Sequence, residues 1–138
     1  VETGVDRSQG VPVTETFPAL AFPALQRAEL GNGMKVILVE RPGLPVVQMN
    51  LLLDGGYKAD LGGKLGTSSF TMGMLDEGAG QYDALTFGDR AESLGANLGS
   101  SANLDGGSAY LSALKENLDD SVGLFATMLR EPRFDQKE

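Results

Sequence analysis

A chain of 138 residues with 41% apolar content is long enough for one domain with its own core. Its net charge of −8 and pI near 4.5 argue against nucleic acid or an anionic membrane as a partner, because both reward lysine and arginine; solubility accounts for the acidity. The lack of cysteine excludes disulfides and thiolate metal sites, and the lack of histidine removes the commonest zinc ligand and the commonest general base.

No window approaches the ~20 apolar residues of a membrane helix, so no membrane insertion is expected. No apolar run behind a basic segment marks a signal peptide, which leaves a periplasmic or a cytoplasmic compartment open. Residues 1–26 read as a linker or N-terminal extension, since Gly4, Gly10, Pro12, Pro18 and Pro23 interrupt every periodicity. Phe17, Leu20, Phe22 and Leu25 suggest that it lies against a surface.

Order is expected to begin near Arg27. Arg27-Ala28-Glu29-Leu30 is a short strand, Gly31-Asn32-Gly33 a tight turn that accepts positive φ, and Met34 to Glu40 a second strand rich in Val36, Ile37 and Val39. Arg41-Pro42-Gly43-Leu44-Pro45 breaks the pattern. Val46 to Asp54 is the clearest strand, with Val47, Met49, Leu51 and Leu53 alternating onto one side, and Gly55-Gly56 ends it.

After the glycine-rich Asp60-Leu61-Gly62-Gly63-Lys64, the apolar residues Leu65, Phe70, Met72, Met74 and Leu75 predict a buried helix of about three turns, closed by Gly78 and Gly80. Asp83 is placed to cap a second helix whose Phe87, Ala91 and Leu94 form a buried stripe and whose end is Gly95. Ala96 to Leu104 and Ser108 to Leu114 read as strands around an Asp105-Gly106-Gly107 turn. A last helix starts at Asn117 or Asp119, carries Leu118, Val122, Phe125 and Leu129 on one face, and stops at Pro132. The order β-β-β-α-α-β-β-α predicts an α+β layered domain, an antiparallel-rich mixed sheet with helices packed on one face.

The stretch from Gly66 to Leu75 resembles the Gly-Leu-Ala-His-Phe-Leu-Glu-His-Met-Leu-Phe segment of the pitrilysin/insulinase (processing-peptidase-like) zinc peptidases, which carries the inverted HxxEH signature. Gly66, Phe70, Met74 and Leu75 match it, as do Gly78 and Tyr82 beyond. The histidines fall on Ser69 and Gly73, and the glutamate on Met72. The likeness continues in order along residues 27–138. Leu30-Gly31-Asn32-Gly33-Met34-Lys35-Val36 looks like the opening Leu-x-Asn-Gly-Leu-x-Val, Asp54-Gly55-Gly56-Tyr57 like the family's strand end, and Leu94-Gly95-Ala96 like its helix exit; Pro132-Arg133-Phe134 also fits.

That resemblance implies an assembly as well as a fold. Family modules pair, one catalytic and one degenerate, around a chamber that holds an extended peptide. By the same resemblance, residues 27–138 would be the N-terminal portion of such a module, with the third zinc ligand of active members lying beyond the equivalent of Glu138. The implied partners are a catalytic metallopeptidase module in the same or another chain, in a dimeric or pseudo-dimeric assembly, and a peptide substrate. The likeness also implies zinc in the partner and no cofactor in this chain. A structural or interaction module with no peptidase partner is the alternative. A glyoxalase- or ferredoxin-like domain would require the ordered matches to be coincidence.

An inverted zincin holds zinc with two imidazoles one helical turn apart, and a carboxylate between them takes a proton from bound water. Ser69, Met72 and Gly73 supply none of these groups. Other motifs have plainer readings. Asp76-Glu77 reads as a solvated helix end, Asp119-Asp120 as dipole stabilisation of a helix start, and Asp105-Gly106-Gly107 as a hairpin rather than a calcium turn. Gly62-Gly63-Lys64-Leu65-Gly66-Thr67 has the flavour of a phosphate loop without its spacing. Ser68-Ser69 lacks the base that a serine nucleophile needs.

Overall fold

A computed structural model of the chain describes Ser8, Gly10 and residues 16–136. They fall into two compact units divided after Pro42. Of the expected linker, residues 1–7, 9 and 11–15 lie outside the described residues, and residues 16–24 have no regular structure. Phe17, Leu20 and Phe22, expected to lie against a surface, are exposed.

The first unit holds an antiparallel hairpin of β1 (Leu25–Glu29) and β2 (Lys35–Val39), in register from Leu25↔Val39 to Glu29↔Lys35. Its turn works as the Asn-Gly pair predicts. Gly33 takes φ +84°, its amide donates to the Leu30 carbonyl at 2.8 Å, and Asn32 Oδ1 accepts from the Met34 amide at 3.1 Å.

The second unit carries a three-stranded antiparallel sheet in the order β3-β5-β4, where β3 is Val46–Asp54, β4 Asn97–Ala102 and β5 Gly106–Leu114. Central β5 shows why the helices gather on one side. Gly107, Ala109, Leu111 and Ala113 are buried at every second position, while Ser108, Tyr110 and Ser112 face the other way. Three small residues in that row let helices approach closely. Register places Val47, Met49, Leu51 and Leu53 of β3 on the same face, opposite Ala113, Leu111, Ala109 and Gly107. The α+β class, the antiparallel pairing and the element order all match the sequence-based expectation.

Helix α2 (Ala84–Ser93) buries Phe87, and Leu94 closes it from inside the core. Its cap is Asp83, which accepts from the Thr86 amide at 2.8 Å and the Thr86 hydroxyl at 2.6 Å. Those two bonds, the hydroxyl first, hold the Asp83 carboxyl below its ordinary value. Helix α3 (Leu118–Arg130) buries Ser121, Leu124, Phe125 and Met128. Its inward stripe is therefore rotated from the predicted one, since Leu118, Val122 and Leu129 are only half-buried. Ser121 is tolerated inside because its hydroxyl donates to the Asn117 carbonyl at 2.7 Å. No helix among the described residues is long and apolar enough to cross a membrane.

Two expectations fail here. The β4–β5 turn is built on Asn103, whose Oδ1 accepts from the Asp105 and Gly106 amides at 3.0 and 2.9 Å, so Gly106 and Gly107 belong to the strand. The signature helix, α1 (Thr67–Gly73), is only about two turns long and buries none of its residues. Phe70 is 71% and Leu65 79% exposed, while Leu75, just beyond the helix, is 7% exposed and part of the core. Leu75→Ala should then lower stability by about 2–5 kcal/mol, and Phe70→Ala by less than about 0.5 kcal/mol. Urea midpoints that rank the two variants the other way would contradict this placement.

Candidate functional site

The site where the signature should stand is assembled from the segment between β3 and α1. Residues Tyr57–Asp60 form a 3-10 turn docked on the β4–β5 turn. The Tyr57 and Lys58 amides donate to the Asn103 and Leu104 carbonyls at 2.8 and 3.1 Å, and the Tyr57 hydroxyl donates to the Ala102 carbonyl at 2.6 Å. Gly56 lies directly beneath this contact.

Gly66, at φ +92°, precedes α1 and has no side chain to cap it. The missing cap comes from Asp60, which is 6% exposed. Its carboxylate accepts from the Gly66 amide at 2.9 Å, the Ser68 amide at 3.1 Å and the Ser68 hydroxyl at 2.6 Å. The Ser68 hydroxyl bond lowers the Asp60 pKa most; burial opposes it, and the amides of Ser68, Gly66 and Thr67 lower it further.

The phosphate-loop flavour of this segment thus has a physical origin. Backbone amides do converge on an anion, and the anion is the chain's own Asp60. Sequence reasoning treated Asp60 as loop; an acidic residue eight positions before Ser68 was the signal available.

Around α1 the three positions that the resemblance sets against the zinc signature, Ser69, Met72 and Gly73, separate into two sets. Ser69 and Gly73 are exposed, and line an open depression with Gly66, Phe70 and Met74. Met72 is half-buried and turns to the sheet. A Cβ on Gly107 of β5 would sit 3.3 Å from its Cε, and its carbonyl accepts a close hydrogen bond from Ser100 Oγ of β4. The face that would present two ligands is therefore present as a face. Its chemistry does not fit zinc: one hydroxyl, one thioether directed away, and one position with no side chain. Among the described residues no group of three or more His, Cys, Asp or Glu side chains is arranged to hold a metal.

The other acidic candidates are placed elsewhere. Asp119 and Asp120 lie in the first turn of α3, where Asp120 pairs with Arg90 of α2 at 2.8 Å on an exposed surface. Such a pair contributes little. Asp105 pairs with Lys58 at 3.3 Å, also exposed. Asp76 and Glu77 follow α1 in a turn.

The family model for insulinase, peptidase family M16, matches residues 35–138. A crystal structure of a peptidase M16 inactive domain from Pseudomonas fluorescens is similar, at 30% identity and TM-score 0.78, over 82% of this chain and 28% of that one. A protease from Helicobacter pylori shares the fold, at 20% identity and TM-score 0.67, over 85% of this chain and 28% of that one. The chain thus spans little more than a quarter of the length of either. No curated protein matches it.

Proposed function

The chain belongs to the insulinase family, peptidase family M16, and from that membership we propose that residues 27–138, together with Leu25 and Gln26 of β1 that the sequence pattern assigns to the linker, are the first portion of a non-catalytic module of a zinc-dependent metalloendopeptidase, preceded by a linker. The observation that carries this reading is that a hydroxyl, a thioether and a bare glycine, at Ser69, Met72 and Gly73, stand on a helix packed on its sheet where the resemblance calls for two imidazoles and a carboxylate. The likeness to a solved domain described as inactive supports it.

On this reading the module shapes one wall of a chamber, and a catalytic module in the same or another chain supplies zinc, base and nucleophilic water. The part of this chain is to bind and orient an extended peptide. The sheet ends in β3 on one side and β4 on the other, and a strand at a sheet edge can take up a peptide through backbone hydrogen bonds.

The test is reconstitution. The full chain is purified alone and with a candidate HxxEH-bearing module of the same family, and zinc content and cleavage of an unstructured peptide are measured. Alone it should hold no stoichiometric zinc and cleave nothing; with the partner, chelator-sensitive cleavage should exceed that of the partner by itself. Metal-dependent cleavage by the chain alone would overturn the proposal. A partner whose activity is indifferent to the chain would favour an interaction module without a peptidase role.

A further inference from the structure

We propose that Asp60 is a latch that holds α1 on the sheet, and that α1 undocks as a unit, with the core intact, when the latch opens. α1 has few attachments of its own. It buries none of its seven residues, and so short a helix does not persist in water by itself. Only half-buried Met72 reaches the margin of the core, whose buried residues come from β5, α2, α3 and the segments that follow α1 and α2. One hydroxyl, Ser100 Oγ, reaches it from β4.

The Ser68 hydroxyl also lies 3.2 Å from the Gly56 carbonyl, and the remaining polar attachment runs through Asp60. Its two oxygens meet the Gly66 amide, the Ser68 amide and the Ser68 hydroxyl. Asp60 itself stands on the 3-10 turn bonded to the β4–β5 turn through Tyr57 and Lys58. The carboxylate is therefore the joint between a firmly docked turn and a weakly docked helix. Loss of that joint frees the segment carrying Ser69, Phe70 and Gly73 while leaving Phe87, Leu111 and Met128 in place. Undocking of this kind is a local opening, governed by few buried contacts.

The charges around the joint are few. Neither α1 nor β4 carries an ionisable side chain. Lys58 of the turn is engaged by Asp105 at 3.3 Å, and Lys64 contributes its backbone carbonyl, which accepts from Thr67 Oγ1 at 2.7 Å. Protonation of Asp60 itself is then what opens the latch. Because its folded pKa is depressed, the stabilisation is complete above the ordinary Asp value of 3.8 and is lost as pH falls through the lower, folded value.

Hydrogen exchange read by mass spectrometry on the full chain tests this, with rates corrected for the intrinsic pH dependence. Asp60→Asn places an amide NH2 against a backbone donor. It should cost residues 66–74 about tenfold or more in protection at neutral pH, while peptides from β5 and α3 keep theirs. Ser68→Ala should produce a smaller loss in the same segment. Wild type should approach the Asp60→Asn pattern in acid, and the variant should show no such transition. Protection of 66–74 unchanged in both variants would overturn the proposal. So would a loss shared equally by β5 and α3, which would make Asp60 a part of global stability rather than a latch.

Discussion

Gly56→Ala is expected to be among the most damaging single substitutions in this chain, lowering stability by about 3 kcal/mol or more. The backbone at Gly56, φ −73° and ψ −155°, is extended with negative φ, so a left-handed conformation is not the reason. The reason is contact. A Cβ there would stand 2.0 Å from the Asn103 carbonyl oxygen, 2.5 Å from the Gly106 nitrogen and 2.9 Å from the Asp105 carbonyl carbon. All three are backbone atoms of the β4–β5 turn and the first residue of β5, so no side chain can swing aside. The 3-10 turn would have to leave its seat, breaking the bonds from the Tyr57 and Lys58 amides and carrying Asp60 with it.

A urea titration followed by far-UV circular dichroism measures the loss. The same substitution at Gly123 of α3, where an added Cβ meets nothing within 4 Å, serves as the control. It should be neutral or stabilise by up to about 1 kcal/mol, because alanine is the better helix former. Equal midpoints for the two variants would show that the turn is not seated as described.

Phe87→Ala is expected to cost about 3–5 kcal/mol. Phe87 is 2% exposed, the largest of the fully buried side chains, and sits on α2 in one cluster with Leu111, Leu124 and Met128. Removing its ring leaves a cavity that the sheet cannot close, since the central strand already presents small residues at Ala109 and Ala113. Against a total stability of roughly 5–15 kcal/mol for a domain, such a loss should also expose apolar surface to a dye. A midpoint shift worth less than about 1 kcal/mol would place the ring outside the core.

Much of the fold was legible because its signals are local. The alternation from Val46 to Asp54, the cap at Asp83, the stripe of Phe87 and Leu94, and the stop at Pro132 each arise within a few residues of backbone. The signature segment was legible as an ordered set of family matches, which set Ser69, Met72 and Gly73 against the positions of its reactive groups. Where periodicity misled, tertiary context decided. Phe70 and Leu65 are as apolar as Leu75, yet only Leu75 is covered. Apolar character says that a side chain gains from burial; it does not say that another element arrives to bury it. Ser121 is the converse case, a polar residue taken inside because a carbonyl one turn back satisfies it.

The sequence by itself determined the α+β order of elements, the family, and the absence of an imidazole pair or intervening carboxylate at the signature helix. Those are properties of residue types and of spacing along one chain. Only the tertiary structure decided that Asp60 caps α1, that Gly56 must lack a side chain, and that Met72 turns to the sheet while Ser69 and Gly73 face out. Each of these depends on atoms brought together from residues 6 to 50 positions apart. No local pattern encodes such meetings, because they arise from the packing of one loop on another.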